Sequence, residues 1–284
     1  MSVKAKRFDK GILIGLFLFT FTSNAIWLNL EHRSPGWDEA VHLNESLNYF
    51  EWLKSPDLKV LKTIVSPVYP PLFPLTSAIL YFLFGPDINV AYMSNMLFTI
   101  IMLVSVQRLG VCLYGRQASF LALFLITFFP IMIQMSHEYW LDYASACMVT
   151  LTILLLHLCE GFRNRAWSYA AGSCLGLTLL TRQHSVLFIL GPLIHAVCSK
   201  YKSNRDACNP SSGNHLPGAA AIAVCMALPY YIFSLNGLKL FIKEYLETGS
   251  DHPVTWNSPG YLIRDRVGHG GRIVHVDHGD VEAV

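Results

Sequence analysis

The sequence predicts an all-α polytopic membrane protein. Of its 284 residues, 53% are hydrophobic and only 14% are charged, whereas about a quarter of the residues of a soluble domain are usually charged. The apolar residues form long runs, several of which approach the roughly 20 residues that a helix needs to cross the hydrocarbon core. The formal net charge of +2 gives no indication of a nucleic-acid partner.

Seven apolar runs are predicted as membrane spans. The first follows four basic residues and has no clear small-residue cleavage site, so we expect an uncleaved span rather than a signal peptide. The predicted spans are 11–30, 88–107, 118–136, 141–159, 166–181, 185–199 and 216–235.

The run at 72–84 decides the topology. Its length of about 13 residues suits a surface or re-entrant helix better than a span. Three basic clusters follow it, at 108–116, 163–165 and 200–205. If 72–84 does not cross, all three clusters lie on the same side as the basic N-terminus, as the positive-inside rule requires. We therefore predict a cytoplasmic N-terminus and a long external loop over 31–87 that carries membrane-surface helices.

This topology gathers polar residues on one external face of the membrane. Ionisable residues at or in membrane spans are costly and are functional candidates by default. We expect this face to hold two groups of carboxylates and an arginine. The residues on it are Asp38, Glu39, Glu45, Glu51, His137, Glu138, Asp142, Arg182 and His184.

Each of these side chains also has a purely structural interpretation. Asp38 taken alone is interpreted as the N-cap of a helix over 39–53, since Asp is favoured there and Glu39 suits a first turn. Asp142 would likewise cap the fourth span. Arg182 would extend its alkyl chain along an interface, and the histidines would be interfacial side chains.

The joint placement of these residues favours a transfer reaction at the external surface. One carboxylate would act as general base on an acceptor hydroxyl or amine. An arginine would hold a lipid phosphate through its two-pronged guanidinium, and fixed cations would neutralise the leaving phosphate. A nucleotide-sugar enzyme would need a nucleotide-binding domain, for which the sequence contains no motif.

The order of four short motifs resembles the GT-C glycosyltransferases, and among them the protein O-mannosyltransferase and aminoarabinose transferase group. The motifs are WDEA after the first span, YPPL in the same loop, YWLD before the fourth span and LLTR after the fifth. The resemblance covers roughly residues 8 to 250. It implies an integral membrane enzyme that moves a sugar from a polyprenyl phosphate to a lipid, glycan or protein acceptor. Neither a cofactor nor a divalent metal is indicated.

The resemblance also implies roles for single residues. Asp38 matches the family's catalytic acidic position, and Asp142 matches its second external aspartate, which helps to position donor or acceptor. Arg182 stands where relatives often have a lysine and would meet the donor phosphate. Further substrate-binding residues are expected at Glu39, Tyr69, His137, Glu138 and His184.

Two departures from the family's pattern affect these expectations. The YPP of residues 69–71 stands where the aminoarabinose branch has Glu-Lys-Pro, so the lysine that meets lipid phosphate there is missing. This weakens the case for an aminoarabinose donor and leaves a generic hexose donor more open. Relatives also usually carry further spans. We expect a GT-C-like module over 1–250 and a truncated or disordered polar tail over 251–284. The tail contains His269, His275 and His278, which could bind a metal ion, but a disordered tail is the favoured interpretation.

Three functions remain open from the sequence. The first is the transferase, expected in a bacterial inner membrane, and the second is an inactive or non-enzymatic protein that binds lipid-linked sugar. The third is a transporter, which would commonly show inverted repeats and polar breaks near mid-membrane. No internal repeat is visible, and the polar groups lie at one surface. An inactive relative need not keep an acid at position 38, so Asp38 favours the transferase.

Overall fold

The computed structural model describes residues 3–30, 34–66, 68–206, 214–248, 261–264 and 273–276. Helices dominate the described part of the chain. They are α1 (Val3–Leu30), α2 (Trp37–Lys54), α3 (Leu58–Ile64), α4 (Leu72–Phe84), α5 (Ile88–Tyr114), α6 (Arg116–Phe128), α7 (Pro130–His137), α8 (Leu141–Leu158), α9 (Arg165–Leu179), α10 (Ser185–Asp206) and α11 (Leu216–Thr248). Two strands of the tail, β1 (Tyr261–Arg264) and β2 (Ile273–Val276), pair antiparallel. Apart from this pair, the predicted all-α class is confirmed.

Four helical segments of the described residues are long and apolar enough to cross a membrane. They are Gly11–Leu30, Ile88–Tyr114, Leu141–Leu158 and Leu216–Leu235. The pair α6 and α7 would provide a fifth span if both helices belong to one crossing. The predicted number of seven is not confirmed, because α9 has 15 residues and the apolar part of α10 covers only Ser185–Ser199. Both are shorter than the roughly 20 residues of a typical span.

The predicted span 118–136 is not one straight helix. Helices α6 and α7 meet at a bend of 56°, and Pro130 is the first residue of α7. Proline lacks the N–H that would continue the helix, and its ring disfavours helical geometry at the residue before it. Phe129 accordingly has an extended conformation, with φ −71° and ψ 122°.

Helix α4 has the bounds predicted from the sequence and packs into the body of the protein. Its 13 residues follow the prolines at 70 and 71, and it ends at Gly85, whose φ of +87° favours glycine. Phe73, Ala78 and Tyr81 are buried, and Tyr81 meets Phe50 of α2 with ring centroids 5.7 Å apart. The helices of the predicted first loop therefore share one core with α5 and α8.

Small and hydroxylated side chains join the later helices. A Cβ added at Gly172 of α9 would lie 2.2 Å from the carbonyl oxygen of Ala219 in α11, so the two backbones are in direct contact there. Between α8 and α9, the hydroxyl oxygens of Thr152 and Thr178 lie 2.8 Å apart. Close backbone approach at small residues and hydrogen bonds between hydroxyl groups are typical of helix packing in membranes.

Candidate functional site

The acidic pair of the WDEA motif lies in the first turn of α2, and its two side chains differ in environment. Asp38 is exposed, whereas Glu39 is only 3% exposed. The N-cap of α2 is Gly36, so the interpretation of Asp38 as N-cap of a helix starting at 39 is wrong. Glu39 closes the helix start instead, because its Oε2 accepts a hydrogen bond from the Gly36 N–H at 2.9 Å. Asp38 is therefore not needed to cap α2.

Glu39 connects three parts of the chain. Its Oε1 accepts hydrogen bonds from the Tyr92 hydroxyl of α5 at 3.0 Å and from the Tyr139 backbone N–H at 2.9 Å. Tyr139 precedes α8 and is fully buried, and its hydroxyl lies 2.7 Å from the hydroxyl oxygen of Ser46 on α2. These contacts hold the start of α2 against the segment that carries the YWLD motif.

A cavity of about 290 Å³ opens where these two segments meet. This volume is close to the lower end, roughly 300 Å³, of small-molecule sites. The lining residues include three acids and two tryptophans, and they are Ser34, Gly36, Trp37, Asp38, Glu39, Glu138 and Trp140. Carboxylates accept hydrogen bonds from hydroxyl groups, and flat indole rings offer an apolar surface with a polar edge. The cavity is therefore chemically suited to a polyhydroxylated ligand with apolar C–H faces.

A second polar cluster surrounds Tyr69. Arg182 forms an ion pair through Nη1 with Oδ2 of Asp142, which joins the LLTR and YWLD motifs. Burial, and then the nearby carboxylates of Asp38 and Glu45, raise the pKa of Tyr69 to about 12, while Arg182 partly offsets them. Tyr69 therefore lies within electrostatic reach of both Asp38 and the Arg182–Asp142 pair. Its hydroxyl stays protonated at physiological pH and is available as a hydrogen-bond donor.

The chain around Tyr69 is fixed by the linker between α9 and α10. Gln183 donates a hydrogen bond from its Nε2 to the carbonyl oxygen of Val68. The Leu72 N–H donates to the carbonyl oxygen of Leu180 at 2.9 Å. The YPPL and LLTR motifs, which lie more than 100 residues apart in the sequence, are therefore adjacent in the fold.

The structure brings most, but not all, of the predicted site residues together. Asp38, Glu39 and Glu138 line the cavity. The second cluster consists of Tyr69, Asp142, Arg182 and the exposed His184, whose pKa is lowered by partial burial and by Arg182. His137 is not part of either group. It stacks on Trp27 of α1 with ring centroids 4.9 Å apart.

Several residues of the site were not predicted from the sequence. Trp37 and Trp140 line the cavity, and both lie inside motifs that the sequence offered, WDEA and YWLD. His42 and Glu45 are buried beside Tyr69; Glu45 was expected only to face the external side. Among the described residues, no group of three His, Cys, Asp or Glu side chains is arranged to hold a metal ion.

The apolar helices are those of an integral membrane protein, and the two polar clusters form its candidate ligand site. The sequence model of the dolichyl-phosphate-mannose-protein mannosyltransferase family matches residues 68–233. The match covers more than half of the chain, and the chain belongs to this family. The prediction of a GT-C-type membrane glycosyltransferase is thereby confirmed. Asp38 and Glu39 precede the matched region. No curated protein and no solved structure matches the chain.

Proposed function

We propose that this glycosyltransferase moves a sugar, mannose being the first candidate, from a polyprenyl phosphate to a membrane-associated acceptor. The cavity between the start of α2 and the YWLD segment carries the proposal. It joins the exposed carboxylate of Asp38 to Glu138 and Trp140 of the family-matched region. The family's description, which names dolichyl phosphate mannose, supports the choice of donor and sugar.

Asp38 is proposed as the general base. Its carboxylate would take the proton of an acceptor hydroxyl while the acceptor oxygen bonds to the anomeric carbon of the sugar. The bond from this carbon to the phosphate oxygen breaks at the same time, and the polyprenyl phosphate leaves with the electron pair. This single displacement requires no covalent enzyme intermediate and inverts the anomeric configuration. Its support is the exposure of Asp38 next to a neighbour, Glu39, that is already used by the fold.

Arg182 is proposed to hold the donor phosphate, with Tyr69 beside it. A guanidinium has five N–H donors, and Asp142 pairs with it through one nitrogen, Nη1. Asp142 would thus orient Arg182 and would assist catalysis in this indirect way. The protonated hydroxyl of Tyr69 would donate to the same phosphate. Fixed donors of this kind stabilise the charge that develops on a leaving group.

The placement in the membrane is part of the proposal. We assign the reaction to the external face, the N-terminus to the cytoplasm and the chain to a bacterial inner membrane, with a seven-span module over 1–250 and a tail over 251–284. The grouping of the basic clusters and the length of α4, 13 residues, support this topology.

A transfer assay with alternative donors tests the proposed function. The full chain, in membranes or detergent micelles, is supplied with polyprenyl phosphate mannose or with nucleoside-diphosphate mannose, together with membrane acceptors. We expect transfer from the lipid-linked donor and inverted stereochemistry in the product. Transfer from the nucleotide sugar alone, or a product with retained configuration, would contradict the proposal. Absence of transfer with lipid-linked hexoses in general would favour the non-enzymatic alternative.

A further inference from the structure

Two ionisable side chains of α2 are buried beside Tyr69 and have no part in the proposed chemistry. His42 is 4% exposed and Glu45 is 7% exposed. Nδ1 of His42 lies 3.1 Å from Oε2 of Glu45. A buried carboxylate is unfavourable unless a partner compensates it, and packing alone would be served as well by apolar side chains. The pair therefore calls for an explanation beyond stability.

The His42 ring is in contact with the Tyr69 ring. The two planes are perpendicular, at 89°, and the ring centroids lie 4.6 Å apart. The Tyr69 backbone is fixed independently, because its N–H donates to the Ser66 hydroxyl at 3.1 Å and the neighbouring Val68 carbonyl is bound by Gln183. The His42 ring thus limits the directions open to the Tyr69 ring, and the His42 ring is itself within hydrogen-bond distance of Glu45.

The turn of α2 that carries His42 is also fixed. The Ser46 hydroxyl donates to the His42 carbonyl oxygen at 2.8 Å and lies 2.7 Å from the hydroxyl oxygen of the buried Tyr139. The backbone of His42 therefore cannot shift without disturbing the segment before α8. This geometry makes the pair a rigid support for whatever contacts the imidazole.

We propose that His42 and Glu45 are positioning residues for the donor site. Glu45 orients the imidazole of His42, and His42 holds the Tyr69 ring so that its hydroxyl lies beside Arg182 at the phosphate of the donor. This inference rests on the proposed function, since it assumes that an anionic phosphate binds at the Tyr69 cluster. It assigns a role to two residues that lie outside both the cavity and the ion pair.

Equilibrium binding of farnesyl phosphate to the full chain in detergent micelles tests this role. Farnesol, which has the same tail without the phosphate, is the ligand control, and the exposed Glu51→Gln on the same helix is the variant control. We expect about tenfold weaker binding of farnesyl phosphate by Tyr69→Phe and by His42→Ala. The double variant should bind hardly more weakly than either single one, because both changes remove the same contact. His42→Gln, which can still hydrogen-bond to Glu45, should recover part of the loss.

Several results would overturn the inference. One is unchanged binding of farnesyl phosphate by both His42→Ala and Glu45→Gln. Another is a double variant in which the losses multiply, since His42 would then act independently of Tyr69. An equal loss for farnesol would assign the pair a merely structural role. A chain that binds farnesyl phosphate as expected but transfers no sugar would contradict the proposed function and leave the positioning role standing. A chain that does not bind farnesyl phosphate would contradict both.

Discussion

The variant Glu39→Gln tests whether one buried carboxylate joins the two halves of the site. Both oxygens of Glu39 accept hydrogen bonds, Oε2 from the Gly36 N–H and Oε1 from Tyr92 and the Tyr139 N–H. A glutamine keeps only one acceptor oxygen, and its NH₂ group would face a donor on the other side. If the amide oxygen takes the place of Oε1, the hydrogen bond from the Gly36 N–H is lost. The hydrogen bonds from the Tyr92 hydroxyl and the Tyr139 N–H remain, but they no longer go to a charged group.

The magnitude follows from these contacts. A hydrogen bond to a charged group is worth about 1.5–3 kcal/mol, and a neutral one about 0.5–1.5 kcal/mol. The gain from removing a buried charge offsets part of the loss. We expect Glu39→Gln to destabilise the fold by about 2–4 kcal/mol, which for a chain of this size lowers Tm by roughly 3–7 °C.

Thermal unfolding in detergent, followed by tryptophan fluorescence, measures the effect. The matched control is Glu51→Gln, because Glu51 lies on the same helix but is exposed and pairs with Lys54 at 2.7 Å on the surface. Such surface pairs contribute about 0–1 kcal/mol, so this variant should melt close to the unsubstituted chain. Equal melting temperatures for the two variants would refute the connecting role of Glu39.

Three further predictions concern the helix packing, the donor site and the topology. Gly172→Ala should lower Tm strongly, because the added Cβ would overlap the carbonyl oxygen of Ala219 in α11. Gly191→Ala is the control and should leave Tm unchanged, because a Cβ there meets open space. Similar melting temperatures for the two variants would contradict the contact between α9 and α11. Arg182→Ala should weaken binding of a polyprenyl phosphate by about one to two decades. It should change Tm little, because the ion pair of Arg182 with Asp142 is partly exposed. Unchanged affinity would show that Arg182 is not part of the donor site. In a cysteine-free background, a cysteine near 60 should be labelled from outside and one near 164 only from inside, and the reverse pattern would contradict the topology.

Apolar runs and helix-breaking residues made many of the helices predictable from the sequence. The prolines before Leu72, and an apolar run too short to span, gave the bounds of α4 correctly. The order of the motifs gave the family. The bend at Pro130 carried a sequence signal as well, but the apolar run continues across it and was interpreted as one span.

The contacts between residues of the site were harder to predict from the sequence. Residue preferences favoured Asp38 as the cap of α2, yet Gly36 takes that position and Glu39 closes the turn. The other partners of Glu39 include a backbone N–H exactly 100 positions further along the chain, and no local pattern predicts such a contact. The three-residue spacing of His42 and Glu45 was visible, but their burial against Tyr69 depends on how α2 packs.

The turnover of Asp38→Asn tests the central claim, that Asp38 is the general base, most directly. Asparagine keeps the size of the side chain and removes its basicity. Because Asp38 is exposed and Gly36 caps the helix, loss of the charge in the first turn should cost less than about 1 kcal/mol. We predict a loss of about two to four decades in the rate of transfer from polyprenyl phosphate mannose, with Tm within about 2 °C of that of the unsubstituted chain and unchanged donor binding. Transfer by Asp38→Asn at the rate of the unsubstituted chain would contradict the assignment of the base.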